Sequence, residues 1–363
     1  MKAEILNHVV VWRDDRYFAG WPFNGGFWQF ADGELAVGFI RGRCDYRSEQ
    51  CTAHRVVDRE HVIIRSFDGG LTWREETMSI VYESRHALAR SLLRQRPAIA
   101  AEKGFDPKAD GFCLISGFGI PPEGAIHVLF AMVSTDRGHT WHDPVRLPVM
   151  TRSREGFKYV GGRPSYVVRD DGLLLLFAHG SRQPEEHFSV PLIFGSWDGG
   201  ASWGLIGEVE PFPRLPMAIM PYPLILSDGV ILIAVRRQYD GGNAYTQVYA
   251  SSDGGRTWAF RSRVNDWGAP ANLTEMPDGR IVCTYGYRQK PWGIRARVSE
   301  DRGHHWGEEI VLRDDGGSGD LGYPRTLLRP DGKLITVYYF NSKDDPIQFE
   351  GGVRHIAATI WSV

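Results

Sequence analysis

The residues best suited to binding chemistry are five arginines at the borders of short apolar segments. They are Arg163, Arg236, Arg237, Arg288 and Arg295. A guanidinium group binds a carboxylate through two parallel hydrogen bonds, and several such groups on one face are costly unless an anion neutralises them. The sequence therefore predicts a site for an anionic ligand, if the fold gathers these positions. The alternative is that each arginine pairs with a local Asp or Glu around a rim.

An octet that occurs five times indicates which elements position these arginines. It reads SFDGGLTW at 66–73, STDRGHTW at 134–141, SWDGGASW at 196–203, SSDGGRTW at 251–258 and SEDRGHHW at 299–306. Its Asp can accept hydrogen bonds from turn amides, its Gly allows a positive φ, and its Trp offers a large apolar surface. Four octets offer one carboxylate each and the fifth offers two, Glu300 and Asp301, whereas a calcium loop needs several oxygen ligands. We therefore interpret the octets as structural turns.

Asp-Gly pairs mark a second type of turn between apolar runs. They stand at 32–33, 171–172, 228–229, 278–279 and 331–332. A unit of strand, Asp-Gly turn, strand, loop, strand, octet turn and strand is a four-stranded antiparallel meander, the blade of a β-propeller. Six blades are predicted to start near Trp21, residue 90, Arg163, Tyr222, Ala269 and Tyr323. The predicted fold is all-β: one six-bladed β-propeller over residues 1–363, whose N-terminal strand at 4–12 completes the last blade.

The meander also predicts where a ligand would bind. Asp-Gly turns and octet turns fall on the same face, because consecutive strands are antiparallel. The opposite face carries the starts of the inner strands and the long loops, so a ligand site is expected there. The five arginines belong to that face. Trp21 and Tyr323 begin the first and sixth inner strands and add aromatic surface to it.

Composition and motifs exclude several other classes of protein. The 42 Lys and Arg against 44 Asp and Glu argue against a nucleic-acid partner, and no apolar run approaches a membrane span. No phosphate-binding loop or dinucleotide fingerprint predicts a cofactor. Cys44, Cys51 and His54 fit no standard zinc spacing, so no metal is predicted. Four cysteines make no disulfide framework, and without a signal peptide the default location is the cytoplasm, unless a leader was trimmed.

Five SxDxGxTW octets on a six-bladed pattern resemble the Asp-box (BNR) repeats of the sialidase/neuraminidase superfamily. The segments GYPRTLLRPDGKLITVYY and YGYRQKPWGIRARVSEDRGHHW are similar to bacterial sialidase-like proteins of the neuraminidase type. The resemblance covers essentially the whole chain. Because the octet is structural, it indicates the fold more specifically than the function.

The resemblance implies roles for particular residues. Sialidases grip a carboxylate with three arginines, attack with a Tyr–Glu pair and use an Asp as acid and base. Tyr323 corresponds to the nucleophilic Tyr through its offset from the Asp-Gly turn. Asp58 or Asp45 corresponds to the acid/base; Asp58 is preferred because it lies just before the third strand of its blade. His54 is close to it in sequence and could act as acid/base or orient it.

The chain also departs from the sialidase pattern. GWPFNGG at 20–26 replaces the Arg-Ile-Pro of the first inner strand, and Met220 stands where the Glu is expected. Of the arginines, Arg295 has a plausible triad spacing. The preferred hypothesis is an exo-glycosidase, sialidase-like in geometry, acting on a carboxylated sugar. The alternatives are a uronic-acid polysaccharide lyase, in which Tyr323 or His54 moves protons, and a non-catalytic propeller that binds carbohydrate or protein.

Overall fold

The computed structural model describes most of the chain as antiparallel β-sheet. The described residues are 3–47, 51, 56, 59–84, 87–88, 91–92, 104–119, 128–148, 157, 159–183, 188–210, 217–239 and 242–363. Six small sheets follow one another along the sequence, one for each blade. The predicted fold class, an all-β six-bladed propeller, is therefore confirmed.

The chain divides into two compact units. The first contains residues 1–83 and 264–363, and the second contains residues 84–263. The first unit holds the sheets of blades 1, 5 and 6, and the second holds those of blades 2, 3 and 4. That the whole chain forms one domain stays a prediction.

The first unit contains three sheets. Blade 1 consists of β2 (Tyr17–Gly20), β3 (Phe27–Gln29), β4 (Leu35–Arg43), β5 (Arg59–Ser66) and β6 (Arg74–Tyr82), with the short helix α1 (Pro22–Gly25) between β2 and β3. Blade 5 consists of β18 (Ala271–Glu275), β19 (Ile281–Tyr287), β20 (Gly293–Ser299) and β21 (Ile310–Arg313). Blade 6 consists of β22 (Gly322–Leu328), β23 (Leu334–Phe340), β24 (His355–Ser362) and, as its outer strand, β1 (Glu4–Trp12).

The second unit also contains three sheets. Blade 2 has β7 (Cys113–Gly119), β8 (Val128–Ser134) and β9 (Val145–Arg146). Blade 3 has β10 (Tyr159–Val168), β11 (Leu174–Ser181), β12 (Val190–Ser196) and β13 (Gly204–Glu208). Blade 4 has β14 (Ala218–Ile225), β15 (Ile231–Gln238), β16 (Ala244–Ser251) and β17 (Ala259–Arg263).

The two turn types form as the sequence predicts. Between β18 and β19, Gly279 has a φ of 84°, and Asp278 accepts a hydrogen bond of 3.1 Å from the amide of Arg280. In the octet after β16, Asp253 accepts hydrogen bonds from the amide and hydroxyl of Thr257 at 2.9 and 2.6 Å. The Trp258 indole donates to the carbonyl of Gly255 at 3.0 Å. The octet aspartates therefore serve their own turns, at Asp68, Asp136, Asp198 and Asp301 as well.

The second strand of a blade forms its most buried part. Every residue of β11 and of β23 is buried. This explains why their sequences, LLLFAHGS and LITVYYF, are nearly continuous apolar runs, whereas a half-buried strand would alternate. Polar residues at the ends of such strands are therefore held in a dry environment, where they need partners.

Two features differ from the sequence-based expectation. Among the described residues, the first strand of the second blade is β7, which begins at Cys113; the predicted start, residue 90, lies outside those residues. In blade 1, Cys44 and Cys51 form a disulfide, a pairing that the sequence did not predict and that is typical of oxidising compartments. The cytoplasmic location stays a prediction. Among the described residues no helix is long and apolar enough to span a membrane.

Candidate functional site

In several blades the inner strand is interrupted at an equivalent place. In β22 and β14 the pairing with the second strand is broken at Tyr323 and Met220, and in β10 the break includes Arg163. In blade 1, Trp21 stands where β2 gives way to α1. Each of these four residues precedes a proline, which cannot donate a ladder hydrogen bond. The predicted blade-start residues therefore occupy equivalent positions in their blades. They are Trp21, Arg163 and Tyr323.

The backbone at this position is strained. Trp21, Met220 and Tyr323 have positive φ values of 57°, 54° and 54°, a conformation that side-chain-bearing residues adopt rarely. Such strain persists only when the surrounding structure holds it, and it clusters at functional sites. The position is thus a candidate for presenting functional side chains.

A close approach of two strands fixes Tyr323 in the first unit. Gly286 of β19 lies against the backbone of Gly322, so that a Cβ built on Gly286 would meet the Gly322 Cα at 2.8 Å. Gly322 itself has a φ of 109°. Glycine at both positions lets blade 5 pack directly against the start of β22, which sets the place of the following Tyr323.

Tyr323 is nearly buried, with 4% of its surface exposed. Its ring centroid lies 5.7 Å from that of Tyr339 and 6.4 Å from that of Phe23. The guanidinium carbon of Arg288 lies 5.2 Å from the Tyr323 ring centroid. The phenol therefore sits among aromatic rings with one cation against it, an environment in which a nearby charge acts strongly.

Arg288 is held by neutral groups. Its Nε and Nη2 donate to the carbonyl of Leu321 at 3.2 and 3.0 Å, and its Nη2 also donates to the Tyr339 hydroxyl at 3.1 Å. Within the part of the chain that the structure describes, it forms no salt bridge. Burial opposes its charge, but Tyr339, Tyr323 and Asp320 outweigh that effect and raise the pKa of Arg288.

Asp320 links Tyr339 to a second arginine. One carboxylate oxygen accepts a hydrogen bond of 2.8 Å from the Tyr339 hydroxyl, and the other accepts one of 3.2 Å from Nε of Arg354. Arg354 is 2% exposed, and its backbone amide donates to the Tyr46 hydroxyl at 2.9 Å. Burial, and then the charge of Asp320, raise the pKa of Tyr339 well above its ordinary value. The Tyr339 hydroxyl therefore stays protonated and donates a hydrogen bond to Asp320.

Trp21 joins the same group through Tyr339. Its ring centroid lies 6.3 Å from that of Tyr339, and the guanidinium carbon of Arg59 lies 5.0 Å from the Trp21 ring. Arg325 donates to the carbonyl of Phe23 at 2.9 Å and lies over the Phe23 ring. Three residues predicted from sequence, Trp21, Arg288 and Tyr323, are thus brought together in the first unit.

Arg295 lies in a different environment of the same unit. Its Nε is 3.5 Å from a carboxylate oxygen of Glu309, and its other nitrogens donate to the carbonyls of Pro291, Ile294 and Arg313. Its guanidinium carbon lies 4.7 Å from the Tyr287 ring centroid. This is the local pairing that the sequence left open as the alternative. Substrate binding by Arg295 stays a prediction.

In the second unit, Arg236 and Arg237 point to opposite faces of β15, as neighbouring strand residues do. Arg236 lies beside Met220, whose sulfur is 3.9 Å from its Nη1. Arg237 is buried and forms a 3.3 Å ion pair with Glu210, which also accepts a hydrogen bond of 2.7 Å from Tyr249. The two neighbouring arginines therefore lie in different environments. Arg236 lies beside Met220, the strained residue of blade 4, whereas Arg237 pairs with Glu210.

Other predicted site residues are not placed. Asp58 and His54 lie outside the described residues, as does the side chain of Arg163. Asp45, the other acid/base candidate, is exposed and accepts a hydrogen bond of 3.0 Å from the amide of Arg47. No group of three potential metal ligands occurs in the portion that the structure describes.

Sequence reasoning missed Asp320, Tyr339 and Arg354. Asp320 stands three residues before Tyr323, a spacing that offered a weak signal. Tyr339 lies in the apolar run VYYF and resembles an ordinary core residue. Arg354 ends a long loop predicted to face a ligand, but its partners come from distant parts of the chain.

The comparisons with known proteins agree with this fold. The sequence profile of the BNR repeat-like domain family matches residues 121–336. A sialidase from Clostridium perfringens is 28% identical over 139 residues, which cover 36% of this chain and 34% of that protein. The alignment thus spans about a third of that sialidase.

Two solved structures are similar over nearly their whole length. A protein of unknown function from Dyadobacter fermentans has a TM-score of 0.79 at 23% identity, covering 99% of both chains. An alpha-L-arabinanase from Penicillium chrysogenum, complexed with arabinobiose, has a TM-score of 0.64 at 16% identity, covering 98% of both chains. The fold is one that glycoside hydrolases use. Since the family profile matches more than half of the sequence, the chain belongs to the BNR repeat-like domain family, within the sialidase superfamily.

Proposed function

We propose that the protein is an exo-acting glycoside hydrolase for a carboxylated sugar and that Tyr323 is its nucleophile. The observation that carries this proposal is the placement of Tyr323: a strained backbone at a strand interruption, with the Arg288 guanidinium against the phenol ring. The sialidase relative and the fold shared with an arabinanase support the class of reaction.

A cation beside the phenol is what such a reaction needs. A free tyrosine has a pKa near ~10 and is mostly protonated at neutral pH. A nearby positive charge favours the phenolate, which is the better nucleophile. Arg288 has neutral hydrogen-bond partners, so its charge is directed to Tyr323 and to whatever anion binds there.

The proposed reaction has two displacements. In the first, the phenolate oxygen of Tyr323 forms a bond to the anomeric carbon while the bond to the leaving oxygen breaks, and an acid gives that oxygen a proton. In the second, water forms the new bond to the anomeric carbon, the tyrosyl bond breaks, and the same acid, now a base, takes the proton from water. Asp58, with His54 beside it, is the acid/base that the sequence predicts.

The preference for a carboxylated sugar rests on Arg288. A partly buried guanidinium without a salt bridge among the described residues suits a substrate carboxylate. The sequence assigned the same role to Arg163, Arg236, Arg237 and Arg295, and for each of these it stays a prediction. Trp21, which the sequence also assigned to substrate binding, packs against Tyr339 in the same group.

One observation favours a second candidate, a uronic-acid lyase. Tyr323 has a cation against its ring, while the nearby carboxylate of Asp320 accepts a hydrogen bond from Tyr339. In addition, Met220 stands where the sialidase pattern has Glu. A phenolate beside an arginine could also remove the proton next to the carboxylate of a uronic acid. The glycosidic bond would then break by elimination, leaving a double bond in the product.

The test is incubation with a panel of sialosides and uronic-acid oligosaccharides, followed by mass spectrometry and ultraviolet absorbance. A hydrolase adds water and yields a reducing sugar, whereas a lyase yields an unsaturated product that absorbs in the ultraviolet. Tyr323→Phe should lower turnover by about a hundredfold or more, as expected when the reacting hydroxyl is lost. Tyr287→Phe is the matched control, since Tyr287 also lies beneath an arginine, at 4.7 Å from Arg295. Absence of any product from the panel would leave a binding propeller as the better description.

A further inference from the structure

We propose that Tyr339 and Asp320 are positioning residues: Asp320 orients the Tyr339 hydroxyl, and that hydroxyl holds the Arg288 guanidinium against Tyr323. The inference deepens the proposed function, because it names what keeps the nucleophile ionisable. It concerns the protonation of Tyr323 in the free protein, so it can be tested without a substrate.

The donors and acceptors of the two hydrogen bonds made by the Tyr339 hydroxyl follow from the groups involved. A guanidinium can only donate, so the Tyr339 hydroxyl accepts from Arg288 at 3.1 Å. The single proton of that hydroxyl is then available to the Asp320 carboxylate, which accepts it at 2.8 Å. Arg288, Tyr339 and Asp320 therefore form a directed chain, in which each hydrogen bond polarises the next.

The far end of this chain is anchored. The second carboxylate oxygen of Asp320 accepts from Nε of Arg354 at 3.2 Å, and Nη1 of Arg354 donates to the carbonyl of Gly352 at 2.7 Å. The backbone amide of Arg354 donates to Tyr46, which lies between the disulfide-bonded Cys44 and Cys51. Because its anchors are buried, Asp320 keeps one orientation.

The near end is anchored as well. Arg288 makes two hydrogen bonds to the carbonyl of Leu321, two residues before Tyr323. These bonds hold the Nε–Nη2 edge of the guanidinium, and a further hydrogen bond from Nη2, to the Tyr339 hydroxyl, sets the rotation of the group about that contact. Without the Tyr339 hydroxyl, the guanidinium could rotate away from the phenol about the Leu321 contact.

The charges around Tyr323 come from several elements. They are Arg288 after β19, Asp320 before β22, Arg325 on β22 above Phe23, Arg59 on β5 above Trp21, and Arg354 behind Asp320, with Tyr339 of β23 as the other titratable neighbour. Asp320 is the negative group in this set, and its ion pair with Arg354 offsets its charge. Arg288 forms no ion pair among the described residues, so its charge acts on Tyr323 as well as on Tyr339 and Asp320.

The experiment follows the ionisation of Tyr323 in the folded protein by NMR, with tyrosines labelled at the ring carbon that bears the hydroxyl. The signal is assigned by its loss in Tyr323→Phe. In Tyr339→Phe we expect the pKa of Tyr323 to rise by about one unit, which corresponds to a tenfold smaller phenolate fraction below the pKa. Tyr287→Phe should leave the pKa of Tyr323 unchanged. An unchanged pKa of Tyr323 in Tyr339→Phe would overturn the proposal.

Two substitutions of Asp320 separate positioning from simple charge. Both Asp320→Asn and Asp320→Ala remove a negative charge, which alone would lower the pKa of Tyr323. Asn keeps an oxygen that accepts from Tyr339, whereas Ala leaves that hydroxyl unoriented. Positioning therefore predicts a higher pKa of Tyr323 in Asp320→Ala than in Asp320→Asn, and equal values would contradict it. This pair also decides the matter if Tyr339→Phe does not fold.

The same variants distinguish this inference from the proposed function. If the protein is the proposed hydrolase, Tyr339→Phe should lower kcat and shift the pH–rate profile to higher pH, in step with the pKa of Tyr323. If no substrate is found, the NMR titration still tests the positioning role. A shift in the titration without any turnover would keep the inference and reject the hydrolase.

Discussion

The strained positions of blades 6 and 4 have the same backbone and different chemistry. Tyr323 and Met220 share a φ of 54°, a following proline and a break in the pairing with the second strand. Opposite the residue before each of them stands Tyr339 in blade 6 and Arg236 in blade 4. Blade 6 therefore combines a phenol with a buried hydrogen-bond chain, whereas blade 4 combines a thioether with a guanidinium.

This difference shows that the backbone conformation, which presents a side chain, is independent of the neighbouring groups, which determine the chemistry of that side chain. A strand interruption repeated in several blades presents a side chain, whatever its type. Reactivity depends on the neighbours, because a phenol needs a cation to ionise and a thioether neither gains nor loses a proton. Blade 6 has these neighbours in Arg288, Tyr339 and Asp320. The equivalent position in blade 4 can contribute binding, but not a nucleophile.

The largest contrast is expected in turnover. Tyr323→Phe should reduce kcat by about a hundredfold or more, whereas Met220→Leu, a substitution of similar volume at the equivalent position, should change it only a few-fold. Steady-state kinetics on the best substrate of the panel measure both. Comparable losses in the two variants would show that the position, and not the phenol, matters.

The next contrast concerns two arginines of blade 5. Arg288 has neutral partners and Arg295 has Glu309. We expect Arg288→Gln to weaken binding of a carboxylated sugar by about ten- to a hundredfold, the scale of a charge-assisted hydrogen bond, with little effect on a neutral analogue. Arg295→Gln tests the original sequence prediction in the same calorimetric titration. A larger loss in Arg295→Gln would move the anion site to Arg295.

A smaller effect, on stability alone, is expected at the octet turns. Asp198 accepts hydrogen bonds from Ser196 and from the amide and hydroxyl of Ser202. Asp198→Ala should lower the free energy of unfolding by roughly 1–3 kcal/mol, because turn donors lose their acceptor. Chemical denaturation measures the loss, and ligand binding should survive where the variant remains folded. Loss of binding at an unchanged melting temperature would assign the octet a functional role.

The smallest effect is a dependence of stability on acid. Hydrogen bonds from Thr257 lower the pKa of Asp253 to about 2, against an ordinary value of 3.8. The unfolded chain binds this proton more readily, so the stabilisation is present above about pH 4 and is lost as the pH falls towards 2. Asp253→Asn should flatten this part of a stability–pH curve. An identical curve for the variant would show that Asp253 does not contribute to it.

The sequence singled out three residues of the group around Tyr323, whose functional roles stay predictions, and missed the residues that support them. Trp21, Arg288 and Tyr323 were identified because their types and their places at strand borders are visible in a single sequence. Tyr339 could not be separated from core residues, because burial gives it the same sequence context. The disulfide of Cys44 and Cys51 was missed because spacing alone does not distinguish a bonded pair from two free thiols.

By itself, the sequence determined the blades and their turns. Asp-Gly pairs and octets act within a few residues, through side-chain bonds to their own backbone and a glycine φ, so their meaning is local. Only the tertiary structure decided which arginine lies against Tyr323 and which pairs with a carboxylate. The Arg354–Tyr46 contact joins residues 308 positions apart, and Arg325 reaches Phe23 across 302. Such pairings depend on the packing of separate sheets, which no local pattern encodes, and they made Arg288 rather than Arg295 the partner of Tyr323.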